Sequence, residues 1–315
     1  MSSRIENAGR RLRSEDAAGT FGAGRGIFLG RVMSNNSVCT EHYRMRISLE
    51  HFPPSQPGQF INVRCCPAET ISDTAVEWRQ DRMPHLTGSE TSGRVPFLRR
   101  PLAPAGRTDR KDGSVELDII YRVVGTGTSW MASLDDGDEI DILGPLGNGF
   151  AIRDNKPNAA IVIGGTGIGP MLYLAETLAS AGKDVSAFVG ARTASLLPLT
   201  EEQKDAFKIT TDDGSLGQAG MVHQPFEKWL EGRKPDPTGL VVYACGPEAM
   251  MKVVAEICLT DNIECQLSLE RHMACGMGVC QGCNIKVKTD EPPGWMFKLV
   301  CKDGPVFDAN ELFRD

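Results

Sequence analysis

From residue 27 to about 150 the chain carries short runs such as IFLGRVM, YRMRISL, QFINVRC, VELDIIYRVV and EIDIL, separated by Pro, Gly and Asp. Repeated short strands with turn signals between them predict a small antiparallel β-barrel. Residues 67–94 break this rhythm: they are polar, charged and without periodicity, and they read as a surface insertion. Beyond residue 153 the pattern changes. Residues 159–163 form an apolar run of the buried-strand kind, followed by a glycine turn and the helical stretch MLYLAETLASAG. Strand-like runs recur at 185–189, 207–211 and 240–244, with a helix expected over 248–259. Strands alternating with helices imply a doubly wound parallel sheet with right-handed crossovers, in which ligands lie beyond the carboxyl ends of the strands.

Near the C-terminus Ile285 and Val287 alternate with polar residues, and Phe297, Leu299 and Cys301 alternate again after a turn containing Pro292 and Pro293. This predicts a hairpin. The expected organisation is a flexible tail over 1–25, the barrel over 26–153, the α/β unit over 154–262 and a small hairpin domain over 263–315.

Composition changes this picture little. At 315 residues, 41% hydrophobic and 24% charged, the chain has room for two or three ordinary cores. A net charge of −7 without a basic cluster argues against nucleic acid as a partner. No apolar run approaches the ~18 residues that span a bilayer. The first 25 residues hold arginines but no apolar segment of signal-peptide kind, and Glu6, Glu15 and Asp16 speak against a transit peptide, so a cytoplasmic location is expected. Cys39, Cys65, Cys66, Cys245, Cys258 and Cys265 then read as buried or free thiols.

Candidate chemistry is concentrated in two stretches. Cys275, Cys280 and Cys283 are spaced C-x4-C-x2-C, and Cys301 returns after seventeen further residues, on the strand the hairpin would bring back. The spacing resembles plant-type [2Fe-2S] ligation, with Gly276, Gly278 and Gly282 letting the loop wrap the cluster and turn N–H groups to its sulfurs. A four-cysteine zinc site is the alternative; disulfides are disfavoured because the cysteines are too sparse for a stapled scaffold. The second stretch is Gly164-Gly165-Thr166-Gly167-Ile168-Gly169-Pro170. Strand, glycine turn and helix make the phosphate-binding start of a dinucleotide fold, against the plainer reading of a packed turn. No serine, histidine or carboxylate constellation marks a catalytic centre, and His272 beside the cysteines reads as structural.

Three barrel phrases, Arg100-Pro101-Leu102-Ala103, Tyr121-Arg122-Val123 and Gly125-Thr126-Gly127-Thr128, resemble the ferredoxin reductase family. The resemblance implies FAD lying along the Arg-Pro phrase, with Arg100 on its pyrophosphate, Tyr121 in the same site, and Gly127 and Thr128 opening a helix onto the phosphates. Ala103 stands where the family usually has Ser or Thr near the flavin N5. GPLGNGF, residues 144–150, would lie at the domain junction. The glycine turn resembles that family's NAD(P)H turn, and Cys245-Gly246-Pro247 its turn near the nicotinamide. Arg192 is a single arginine rather than a cluster, which favours NAD over NADP.

The resemblance narrows at SLERHMACGMGVCQGC, residues 268–283, and VCKDGPVF, residues 300–307. These look like the electron transfer subunit of NAD-linked, class 1B dihydroorotate dehydrogenase. That family implies electrons passing from dihydroorotate, through an FMN-containing catalytic partner, to a [2Fe-2S] cluster, FAD and NAD+, in a hetero-oligomer expected to be a heterotetramer. Met273, Met277 and Val279 would form an apolar contact patch around the cluster, or else pack under the hairpin. Alternatives are a subunit of a sulfide dehydrogenase or bifurcating transhydrogenase, a stand-alone NAD(P)H reductase, and a zinc-stabilised binding module.

Overall fold

The structure is a computed structural model that describes residues 24–66, 96, 98–233 and 237–313. The expected tail, except its last two residues, and the expected insertion at 67–94 lie outside the described residues.

Period-two alternation builds the first sheet. Its strands are β1 (Gly26–Cys39), β2 (His42–Leu49), β3 (Phe60–Val63), β4 (Arg100–Leu102), β5 (Pro104–Asp109), β6 (Val115–Arg122) and β7 (Glu139–Leu146). A short helix, α1 (Thr126–Ala132), joins the last two. Met45, Ile47 and Leu49 alternate inward on β2, as do Leu117 and Ile119 on β6 and Ile140 and Ile142 on β7, giving one buried core. Every pairing is antiparallel, in the order β4-β3-β7-β1-β2-β6-β5. Strands β4 and β5 occupy opposite edges, yet only Ala103 separates them in the chain. The sheet must therefore curl into a barrel wall whose edges are closed by covalent connection.

The second sheet comprises β8 (Asn158–Gly164), β9 (Asp184–Ala191), β10 (Lys208–Thr211), β11 (Gln218–Ala219), β12 (Leu240–Cys245) and β13 (Glu264–Ser268), all parallel. Its central strands are apolar on both faces because helices cover both. Ile161, Ile163, Val241 and Tyr243 pack with α2 (Ile168–Ser180). Ala160, Val162, Val242 and Ala244 face the other way, toward α4 (His223–Arg233) and α5 (Glu248–Thr260). Helix α3 (Glu201–Ala206) leads into β10 and starts with a capping box, Thr200 accepting from Gln203 N.

The C-terminal hairpin pairs β14 (Asn284–Lys288) with β15 (Trp295–Leu299). Ile285 and Val287 point into the α5-side core, but the alternation on the return strand does not face inward throughout: Phe297 is exposed, and burial resumes only at Val300 and Cys301. The chain then re-enters the second sheet as β16 (Val306–Asp308), antiparallel to β13, before ending in α6 (Ala309–Phe313). The sheet is thus parallel with one antiparallel edge, because the chain leaves from β13 and comes back beside it.

Strand β5 of the barrel packs on α2. Tyr173 Oη on α2 donates to Ser55 O at 3.0 Å, and Thr40 N donates to Ser195 O at 3.0 Å. Buried Gln266 on β13 closes a two-way link with the Ala151 backbone, accepting at 2.8 Å and donating at 2.9 Å. Among the described residues no helix is long and apolar enough to cross a membrane.

Candidate functional site

A cleft of about 420 Å³ opens where the barrel, the second sheet and the cysteine loop meet; Arg100, Pro101, Leu102, Ala103, Tyr121, Thr128, Cys245 and Met273 all line it. Arg100 projects from β4 onto the start of α1, so that a methyl on Gly127 would lie 3.0 Å from its Nε. Its Nη1 donates to Leu98 O at 2.6 Å. No carboxylate pairs with Arg100 among the described residues, whereas its neighbour Arg99 is neutralised by Asp141 at 2.8 Å. An unneutralised guanidinium at the mouth of a helix start fits a pyrophosphate. The Thr128 hydroxyl is spent within the turn: it accepts from Val124 N at 2.9 Å and donates to Gly125 O at 3.1 Å. Tyr121 lines the cleft, but its phenol donates to Asn35 Oδ1 at 2.9 Å and stacks on Tyr43. Burial pushes that phenol well above its ordinary pKa.

A second cleft, about 530 Å³, runs along the carboxyl ends of the parallel strands, past Gly164 and Gly165 at the end of β8, Gly190, Ala191 and Arg192 at the end of β9, Asp212 after β10 and Pro247 after β12. The turn after β8 and the turn after β12 touch backbone to backbone. Added methyls would lie 2.5 Å from Cys245 O at Gly167, and 2.8 Å from Gly164 Cα at Gly246, whose φ is +154°. Gly165 is different: its φ is +53° and nothing lies within 4 Å of its missing Cβ, so it faces open space. Thr166 lies between them in the 3₁₀ turn Gly165–Gly167. Burial, and then the Glu270 charge, push the Cys245 thiol far up, against a hydrogen bond with Ser268. A neutral thiol therefore sits at the joint of the two clefts.

His42, which no sequence motif marks, and Arg122, named only within the Tyr121-Arg122-Val123 phrase, are cross-strand partners on β2 and β6, and both line this second cleft. Arg122 lines the flavin-side cleft as well, and is held by Glu41 through Nε at 2.9 Å and Nη2 at 2.6 Å. The signal was weak because the phrase around Arg122 reads as the end of a strand.

The cysteine loop begins after β13. Cys275 Sγ accepts from Met277 N at 3.5 Å and Cys280 N at 3.4 Å, with Gly276 at φ +70° and Gly278 at φ +85° setting the turn. Burial raises the Cys275 thiol, but N–H groups of Cys280, Met277 and Val279 and the Cys280 side chain outweigh it and hold the pKa down at about 6. The Cys283 Sγ accepts from Cys301 N at 3.4 Å. Burial and the neighbouring Cys283 push the Cys301 thiol up to about 12, against the Gly278 N–H. Two pairs result, Cys275 with Cys280 and Cys283 with Cys301. Among the described residues no three His, Cys, Asp or Glu side chains converge as for a single ion. Thiols arranged in two pairs fit a two-metal centre with two thiolates on each metal better than a tetrahedral zinc.

The phrase expected at the domain junction fastens this loop: Asn148 Nδ2 donates to Lys302 O at 3.2 Å and Asp303 O at 3.0 Å. Met277 (41% exposed) and Val279 (74%) face outward, while Met273 packs against the α5-side core.

The family model described as the iron-sulfur cluster binding domain of dihydroorotate dehydrogenase B matches residues 270–313. A dihydroorotate dehydrogenase B (NAD(+)) electron transfer subunit from Caldanaerobacter subterraneus subsp. tengcongensis is 34% identical over 90% of this chain and 96% of its own. One from Geobacillus kaustophilus is 40% identical over 82% of this chain and 86% of its own. Among solved structures, an NADH-dependent reduced ferredoxin-NADP oxidoreductase described for flavin-based electron bifurcation superposes with TM-score 0.68 and 26% identity, covering 90% and 88% of the two chains. Phthalate dioxygenase reductase, at TM-score 0.55 and 16% identity over 88% and 77%, shares the fold. With its iron-sulfur domain at 270–313 and relatives matched over nearly their whole length, the chain belongs to the family of dihydroorotate dehydrogenase B (NAD(+)) electron transfer subunits.

Proposed function

We propose that this chain relays electrons between a catalytic partner that oxidises dihydroorotate to orotate and NAD+, using FAD and a [2Fe-2S] cluster, in the cytoplasm. The observation that carries the reading is the single cleft shared by Arg100, Cys245 and Met273, one residue from each of the barrel, the α/β unit and the cysteine loop. When bound, the flavin supplies a centre that exchanges an electron pair with the nicotinamide and single electrons with the cluster.

In this reading residues 26–153 hold FAD, 154–262 hold NAD, and 263–315 hold the cluster. Arg100 binds the flavin pyrophosphate, and Gly127 keeps the helix start open so that the guanidinium can lie against it. Pro101, Leu102 and Ala103 line the isoalloxazine side; Ala103 offers no hydroxyl, so any hydrogen bond at the flavin N5 comes from another group. Thr128 and Tyr121 shape the site by ordering the turn and the strand behind it. Gly164, Gly165, Thr166 and Gly167, with Cys245, Gly246 and Pro247, form the two turns between which the dinucleotide lies, and the neutral Cys245 thiol keeps negative charge away from the hydride-exchanging ring. Cys275, Cys280, Cys283 and Cys301 hold the cluster. The lone Arg192 favours NAD over NADP.

The partner is an FMN-containing catalytic subunit, in a heterotetramer, and it docks on the cluster side. Exposed Met277 and Val279 on the loop, with Trp295, Met296 and Phe297 on β15, support that face. A bifurcating reductase subunit is the second reading, favoured by the 0.68 superposition. Co-purification decides between them: the complex should reduce NAD+ with dihydroorotate, and the isolated chain should reduce only artificial dyes with NADH. A complex inert to dihydroorotate overturns the first reading.

A further inference from the structure

Strand β3 lies between the flavin-side strand and the cysteine loop. Its Asn62 is opposite Pro101 in the β3–β4 ladder. The Asn62 side chain is fully buried, and its Nδ2 donates to Cys275 O at 3.3 Å. The contact extends to the next residue, because a methyl on Gly276, at φ +70°, would lie 2.1 Å from that nitrogen. The Asn62 backbone carbonyl is itself held by Arg99 Nη1 at 3.2 Å. Its Oδ1 is buried and has no hydrogen-bond partner among the described residues. A buried amide with an unspent acceptor costs stability, and a leucine would fill the space without that cost. Packing alone does not explain asparagine here.

What the amide holds is the turn that aims N–H groups at sulfur. Met277 N and Cys280 N both point at Cys275 Sγ, and their direction depends on the left-handed Gly276 that abuts Asn62. We propose that Asn62 is a positioning residue for the iron–sulfur centre: it locks the Cys275–Gly276 turn onto the strand that also carries the flavin-side ladder, and so sets both the N–H···S donors on the first thiolate and its placement relative to the flavin cleft. The inference rests on the reading of the four cysteines as cluster ligands. N–H donors to the sulfurs stabilise the more negative, reduced centre and thereby raise its potential. Removing the lock weakens those donors and lowers the potential.

The test uses the full chain purified without air, as parent, Asn62→Leu, Asn62→Ser and Asn62→Gln, with flavin, iron and sulfide content measured on each. Asn62→Leu and Asn62→Ser should keep FAD, move the cluster midpoint to lower potential and change the electron paramagnetic resonance of the reduced centre. Electron passage from flavin to cluster should slow several-fold. Asn62→Gln, which retains the donor, should recover part of both changes. If Asn62→Leu does not fold, the serine variant carries the measurement. Parent-like potential and spectrum in whichever of the two folds overturns the proposal, as does a glutamine variant no closer to the parent than serine. A parent protein without iron and sulfide would defeat the cluster reading itself, which the content assay detects before any variant is compared.

Discussion

Gly167 and Cys245 meet so closely that a methyl on the glycine would lie 2.5 Å from the cysteine carbonyl oxygen and 2.9 Å from its sulfur. The glycine turn is therefore keyed into the neighbouring turn by the protein's own backbone. Gly167→Ala should destabilise the ligand-free protein by about 1–3 kcal/mol through overpacking, read as a lower Tm. Gly165→Asp should behave otherwise: its side chain enters open space, Asp tolerates positive φ, and the added charge should raise the NADH KM at least several-fold while flavin stays bound. A Gly167→Ala protein that melts like the parent would show that the contact is slack.

Arg100 has no carboxylate partner among the described residues, so its charge remains available to a ligand. Charge-assisted hydrogen bonds contribute about 1.5–3 kcal/mol, and Arg100→Ala should lower flavin affinity by about tenfold or more. Flavin fluorescence released on dialysis measures this. Arg99→Ala should act instead on stability, because it removes the nearer of the two guanidiniums on Asp141, at 2.8 Å, and leaves only Arg64 at 3.9 Å.

The architecture was legible where one pattern dominates. Alternation on β2, β6 and β14 and the apolar runs of β8 and β12 translate directly into strands, since each must bury one or both faces. Relationships made at a distance were not legible. Nothing in the local pattern of 306–308 says that this segment will run antiparallel beside β13. Phe297 alternates as an interior residue would, yet it is 61% exposed because the hairpin register sets it opposite Lys286, on the face away from Ile285 and Val287. Tyr121 could be assigned to a site by its phrase, but the direction of its phenol depends on Asn35, distant in the chain. Asn62 and His42 look like ordinary strand residues until the fold brings the cysteine loop to one and the cleft beyond the parallel strands to the other.

The apo chain should show a pH-dependent thiol. The Cys275 pKa, held at about 6 by backbone N–H groups, makes this cysteine thiolate at pH 7 and increasingly a thiol as pH falls below about 6. Cys301, pushed up to about 12, remains a thiol throughout. Brief alkylation of cluster-free protein at pH 7, followed by peptide mapping, should label Cys275 well before Cys301, and the preference should shrink at pH 5. Equal labelling at pH 7 would contradict it.

Docking of a catalytic partner on the cluster side predicts a mutational split. Val279→Glu and Phe297→Glu place charge on exposed apolar positions, so each should leave NADH-dependent dye reduction intact. In an interface each should weaken the complex by about 1–3 kcal/mol, measured by titration with the partner. Two variants that bind like the parent would move the interface elsewhere.

The excursion that carries the four cysteines starts and ends between neighbouring strands, and its two ends are tied together: Leu269 N donates to Pro305 O at 2.9 Å, just outside the β13–β16 pairing. The loop is in effect a pouch drawn shut at its neck. The cysteine turn at 275–282 can open without unzipping the sheet, so in the metal-free chain its amide hydrogens should exchange with solvent before those of β13. A chain whose other two parts have already folded would then still be open to metal at this loop.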